Sequence, residues 1–533
     1  MAGQAPLERA DALRRYIAAA SEFYQLHHRD RLDDWCARIE RNLSDNDKLA
    51  ALSCRASDPF GLPKAGAQSD LFRARVAGST QANELIKKGR LAAHVTRIKE
   101  GRLDPVEHVQ ACLYRIKARS DLNAFLFVDH EGVLTKAHEL QRQIQAGRHC
   151  GPLAGVVVAV KDCIPVTGLP MRAGSESLAS VVPQESAPCV AALESAGAIV
   201  IGMTNLHELC YGGVSDNPHY GSVGHPQDST RSPGGSSGGS AVALATGMAD
   251  IALGTDTAGS VRMPAAICGV VGYKGSYDLV SREDLVPLAW SLDHVGVLAH
   301  TTVDAAWVTA IMAGHDAQAY WQPLHFGSAS QLRLFCPTNY SFDLIEPSVL
   351  TAFESALARL ESAGVKIERG VLPALDMSPT LQHFTMASEA TQAHEELGLQ
   401  QAHAMGREVR TRLEAGQFIR AIDYIKAQRL RRVLAEALEA PFLNGAHAIV
   451  TPTTVTGACD AQAVLENHGK SIPLRSVLTR LTLPFNLTGV PAISLPCGRD
   501  AEGFPVGLQL AGLKGGDALL LQAAHQCETV LQV

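Results

Sequence analysis

Two segments of the chain share one pattern: a helix-like stretch, a turn, then a short apolar run. They are "APCVAALESAGAIVIGMTN" (187–205) and "GGSAVALATGMADIALGTD" (238–256). A third run, "AGVVVAVKD" (154–162), is apolar over a strand's length without alternation, as expected of a strand buried on both faces. Units of this kind in succession predict an α/β fold, a sheet lying between helices. "AHAIVTPT" (446–453) and "VPAISLPCG" (490–498) read as further core strands, and 515–533 as a closing helix. Residues 378–440 are helical in pattern and charged, a predicted cover over the sheet. Asp104 is placed to cap a helix that has Pro105 at its first position. Residues 1 to 57 read as amphipathic helices, and "ASDPFGLPKAGAQSD" (56–70), with two prolines and two glycines, as a linker. The expected division is a helical extension and linker over 1–70, then one unit over 71–533.

Composition narrows the class of function. The 533 residues include 46% hydrophobic and 19% charged side chains, ordinary for a globular protein with a sizeable core. The 47 basic and 54 acidic residues form no basic block, so neither a nucleic acid nor an anionic membrane surface is an expected partner. Aromatic content of 5% also argues against stacking platforms for bases. The 12 cysteines include no C-x-x-C pair, and no Cys/His cluster has metal-ligand spacing. Reduced thiols, no apolar leader at the N-terminus and no run long enough to span a bilayer predict a soluble cytoplasmic protein.

Three polar positions stand out against this background. Lys161 ends a buried strand, where it either reaches solvent, pairs with Asp162, or has a chemical task. Ser236 lies in "RSPGGSSGGSAVALATG" (231–247), a Gly/Ser-rich loop opening a helix. That loop can be a flexible linker or an anion site at a helix N-terminus. Gly234-Gly235-Ser236-Ser237-Gly238 also fits G-x-S-x-G, but the nucleophile elbow needs a strand entering the serine, and "QDSTRSP" is polar and ends in proline. Ser260, in "GTDTAGSVRMPA" (254–265), is either a helix cap or a nucleophile surrounded by free backbone N–H groups.

Together, Lys161 in "VVVAVKD", Ser236 in "SPGGSSGGS" and Ser260 in "GTDTAGSVRMPA" closely resemble the blocks of the amidase signature family. The resemblance extends through 84–116, 204–228, 287–306 and 483–512. It implies a large mixed central sheet flanked by helices on both faces. It also implies a Ser-cisSer-Lys triad, with a cis peptide at Gly235–Ser236. Ser260 would attack the amide carbonyl, Ser236 relay its proton, and Lys161 serve as base, which requires the neutral amine. The backbone N–H groups of Thr257, Ala258, Gly259 and Ser260 would receive the oxyanion. Ala258 stands where a glycine is frequent, a change that keeps the N–H. Ser237, Asp256 and Arg262 would support the loop. Substrate contacts are expected from Met203, Gly212 and Gly213 in the 203–217 segment. In the helical cover, the candidates are Glu389, His394 and Tyr424.

No metal or organic cofactor is called for. The leading expectation is an amidase acting alone on a small amide, as a homodimer. The alternative is the glutaminase-type subunit of a tRNA-dependent amidotransferase, which would need a partner protein. An idle binding protein and an α/β-hydrolase esterase using Ser236 are the remaining readings.

Overall fold

The computed structural model describes residues 48, 89–148, 150–178, 181–315, 329–340, 342–396, 404–467 and 470–531. The predicted N-terminal helices and the 56–70 linker therefore lie outside the described residues, Lys48 excepted.

The buried strands assemble one mixed sheet of 11 strands. Its first members are β1 (Phe125–Val128), β2 (Val157–Lys161), β3 (Ile199–Thr204), β4 (Ile251–Thr255), β5 (Val271–Lys274) and β6 (Val295–Ala299). β7 (Arg333–Pro337), β8 (Lys366–Gly370) and β9 (Ala448–Pro452) follow. A separate two-stranded ribbon, β10 (Val464–Asn467) and β11 (Lys470–Pro473), precedes β12 (Ala492–Arg499) and β13 (Pro505–Ala511). The order across the sheet is β1-β3-β2-β4-β6-β5-β12-β13-β9-β7-β8. β2 is parallel to β3 and β4, and β7 to β8 and β9; the other pairs are antiparallel. All of β2 is buried, so its valines meet neighbours on both faces, each contributing about 1.5–3 kcal/mol of apolar burial.

The helices are α1 (Arg90–Lys99), α2 (Pro105–Ala118), α3 (His130–Gln145), α4 (Pro188–Ser195), α5 (Gly238–Ala245), α6 (Arg262–Cys268) and α7 (Thr302–Met312). They continue as α8 (Pro347–Ser362), α9 (Ser378–Glu396), α10 (Arg407–Gly416), α11 (Ala421–Leu443), α12 (Leu483–Leu487) and α13 (Asp517–Leu531). Asp104 caps α2, its carboxylate accepting the Val106 N–H at 2.7 Å with Pro105 at the first position. One group of helices, α4, α7, α8 and α13, packs together against β6 and β12. A second, α5 and α6, packs against β2, β4, β5 and β13, so both faces of the sheet are covered. The predicted cover is present as α9, α10 and α11. Leu381, Phe384, Leu430 and Leu434 of α9 and α11 share a second apolar core with Ile449, Phe485 and Ala511. Among the described residues no helix is long and apolar enough to cross a membrane. The described cysteines are free, and all but Cys459 are buried.

Candidate active site

β2 and β4 run parallel, with Val160 opposite Leu253, so their carboxyl ends lie side by side where ligands bind in open α/β sheets. Lys161 closes β2 and Thr255 closes β4. Lys161 is fully buried, its Nζ 2.8 Å from Ser236 Oγ and 2.8 Å from Thr255 Oγ1. The adjacent Asp162 turns away. Its Oδ2 accepts the N–H groups of Arg172 (3.1 Å) and Gly174 (3.2 Å), and burial pushes its carboxyl up to about 7. The Lys161–Asp162 ion pair is therefore not formed.

Cys163 and Cys210 approach the same Thr255 hydroxyl, each with Sγ at 3.7 Å. Burial raises the Cys163 thiol. Its hydrogen bond to Cys210 draws the Cys210 thiol down.

The peptide Gly235–Ser236 is cis. The Ser236 carbonyl accepts the His207 N–H at 3.2 Å and the Ser215 hydroxyl at 3.4 Å. Ser237 joins the segment to its neighbours: its N–H donates to the Ser260 carbonyl at 3.2 Å, and its hydroxyl to the Thr255 carbonyl at 3.2 Å. Ser260 is thereby held against the Ser236–Ser237 backbone. No strand runs into Ser236, so the elbow of an α/β-hydrolase is absent.

The loop before α6 is organised by one carboxylate. Asp256 Oδ1 accepts the Gly259 N–H at 2.8 Å, and Oδ2 accepts those of Val261 (3.2 Å) and Arg262 (3.4 Å). The Arg262 guanidinium, fully buried, donates through all five N–H groups: to both Asp256 oxygens, the Asn486 and Gln509 side chains, and the Thr482 carbonyl. Gly259 spends its N–H on Asp256, whereas the N–H groups of Thr257, Ala258 and Ser260 have no hydrogen-bond partner among the described residues.

Gly259 serves the loop through its backbone angle, φ +122°, and a Cβ there would fall 2.2 Å from Thr482 Oγ1. Gly259→Ala is accordingly expected to lose more than about 1 kcal/mol of stability, measured by denaturant unfolding.

The pattern of the family described as Amidase matches residues 107–521. This chain belongs to the amidase family. It is an enzyme of the class that hydrolyses carbon–nitrogen bonds. A relative from Picosynechococcus sp., one subunit of its glutamyl-tRNA(Gln) amidotransferase, is 34% identical over 84% of this chain and 96% of its own. A crystal structure of an amidase matches with TM-score 0.78 at 34% identity, covering 83% of this chain and 99% of that one. The native peptide amidase of Stenotrophomonas maltophilia matches with TM-score 0.69 at 27% identity, covering 83% and 97%.

The remaining candidates lie in different settings. Met203 lies in β3, buried in the main core. Gly212 backs onto His207, where a Cβ would fall 2.2 Å from the ring, and burial lowers that histidine to about 4. Gly213 faces Leu478 and Met263, the latter three residues beyond Ser260. His394 turns its Nδ1 to the Ala390 carbonyl of its own helix (2.8 Å) and is buried.

Tyr424 donates to Glu389 (2.9 Å), which also takes the Ser291 hydroxyl (2.6 Å), while Arg431 donates to Ser291 Oγ (2.8 Å). Two residues on, Asp293 accepts the Thr257 hydroxyl at 2.6 Å. The helical cover is thus wired to the loop that steadies Thr257. Burial pushes Asp293 up to about 7. Lys274, a second buried lysine that the sequence did not single out, donates to the Val490 and Gly275 carbonyls and is lowered to about 7, first by burial and then by Arg262.

Proposed function

We propose that the enzyme cleaves an amide C–N bond through an acyl-enzyme on Ser260. The Lys161 Nζ–Ser236 Oγ separation of 2.8 Å, in a buried setting where no carboxylate among the described residues pairs with the lysine, carries this reading. Ser260 attacks the carbonyl carbon, and its proton passes through Ser236 to Lys161. The N–H groups of Thr257, Ala258 and Ser260 receive the developing negative oxygen, a role in which one donor is worth about 3 kcal/mol. Collapse of the tetrahedral intermediate breaks the C–N bond as the proton returns to the leaving nitrogen. Water then cleaves the ester by the reverse proton path.

Two substrates compete for this chemistry. The sequence relatives carry the name of a glutamyl-tRNA(Gln) amidotransferase component, which supports the glutamine-cleaving role over the stand-alone amidase expected first from sequence. In that reading a partner protein takes the ammonia. The amidase and peptide amidase structures support the second reading, a stand-alone enzyme.

Ammonia release from glutamine and from aliphatic, aryl and peptide-terminal amides, measured with the purified chain and with any copurifying protein, separates them. Glutamine as the one good substrate, with a bound partner, supports the amidotransferase role. Fast turnover of another amide by the chain alone supports the amidase. No ammonia from any amide, together with no fluorophosphonate adduct on Ser260, would overturn both.

A further inference from the structure

His94 on α1, His108 on α2 and Asp250 just before β4 come from three segments, yet one ligand atom of each lies within 4.8 Å of the others. His108 Nε2 is 2.9 Å from Asp250 Oδ2, and His94 Nε2 is 3.9 Å from the same oxygen. Two further donors border the cluster: the Gly155 carbonyl, 3.3 Å from His94 Nε2, and Cys112 Sγ, 4.0 Å from His108 Nε2. The Val157 N–H, 2.8 Å from Asp250 Oδ2, fixes the carboxylate from behind. The two imidazoles meet edge to face, 4.4 Å between centroids, so neither covers the other's nitrogens by stacking.

A tetrahedral ion bonded at about 2.0–2.1 Å holds its ligand atoms about 3.3 Å apart. The two separations from Asp250, 2.9 and 3.9 Å, straddle that value. Two imidazoles with one carboxylate suit zinc over calcium or magnesium, which take oxygen ligands.

We propose that His94, His108 and Asp250 form a binding site for a zinc-class divalent cation, with a fourth position open to water. The site is remote from Ser260. Asp250 precedes β4 and Thr255 ends it, so the strand separates the two by about 16 Å at 3.3 Å per residue. The cation would therefore clamp α1 and α2 to the sheet rather than take part in amide cleavage.

The test uses the full chain, stripped with chelator and titrated with Zn²⁺ by calorimetry in buffers of different ionisation enthalpy. One equivalent per chain is expected, with a rise in Tm. Co²⁺ in place of Zn²⁺ should give tetrahedral ligand-field absorption. His94→Gln and His108→Gln should each lose the tight equivalent and the Tm response to zinc, while amide hydrolysis stays within about twofold of the parent. His108→Gln also breaks the close bond to Asp250 and can unfold the chain. His94→Gln breaks only longer contacts and keeps the test decisive. Absence of a stoichiometric site in the parent, or retention of the full equivalent in His94→Gln, would overturn the proposal.

Discussion

Substitution of Lys161 is expected to lower kcat/KM for amide hydrolysis by about 10²–10⁴-fold, the range over which a positioned proton acceptor contributes. Its Nζ is 2.8 Å from Ser236 Oγ and 2.8 Å from Thr255 Oγ1, so in the proposed mechanism the side chain would both accept the relayed proton and orient the relay. Truncation to alanine also opens a hole among fully buried neighbours, an effect on stability that could be mistaken for one on chemistry. Lys161→Met keeps the volume and removes only the amine. Both variants should therefore lose activity, and Lys161→Met should unfold closer to the parent.

Ser260→Ala should abolish covalent labelling by a fluorophosphonate. Ser236→Ala and Lys161→Met should slow labelling without moving the adduct from Ser260. A folded Lys161→Met enzyme that turns over a neutral amide at near-parent rate would remove the lysine from the mechanism.

The fold could be read from sequence where burial imposed a pattern. β2, β3 and β4 are apolar up to their last residue because neighbours cover both faces, and each is preceded by a recognisable turn or helix. β8 was invisible for the opposite reason. As the outermost strand, paired only with β7, "KIERG" is largely exposed and carries no apolar run. Lys161 and Ser236 were legible because a lysine at a buried strand end and a Gly/Ser loop are both anomalous locally.

The carboxylate that captures the Gly259 N–H belongs to the same loop, yet residue types alone do not say which N–H groups it takes. Cys163 and Cys210 looked like ordinary buried thiols, and only the fold brings them to Thr255. The His94–His108–Asp250 cluster escaped spacing rules entirely, since Asp250 is 142 residues from His108.

Asp256→Asn is expected to destabilise the protein by about 3–5 kcal/mol, the usual consequence of removing one partner from a buried ion pair. Both side chains are fully buried, with Arg262 Nη2 2.9 Å from Asp256 Oδ1, so the guanidinium would keep its charge without a counter-charge. The three backbone N–H groups held by the carboxylate would also weaken, loosening the turn that presents Ser260.

The pH dependence gives the effect a signature. Burial alone would raise the Asp256 carboxyl, but the Arg262 charge and hydrogen bonds outweigh it and hold the group well below the usual range. A folded value below the unfolded one, about 3.9, means stability present above that pH and lost as pH falls through and below it. Asp162 and Asp293 act oppositely. Burial lifts each to about 7, so their protonated forms favour the fold at low pH, and that contribution is lost as pH rises from about 4 to about 7 and is constant above it.

Asp256 should thus give the parent an acid limb below about pH 4, while Asp162 and Asp293 act between about pH 4 and 7, where the buried His207 opposes them. Asp256→Asn should flatten only the limb below about pH 4 while leaving the curve above it parallel to the parent's. Urea unfolding from pH 3 to 8 reads this directly. An Asp256→Asn curve parallel to the parent's over the acid limb would mean that the Arg262 pair does not govern acid stability.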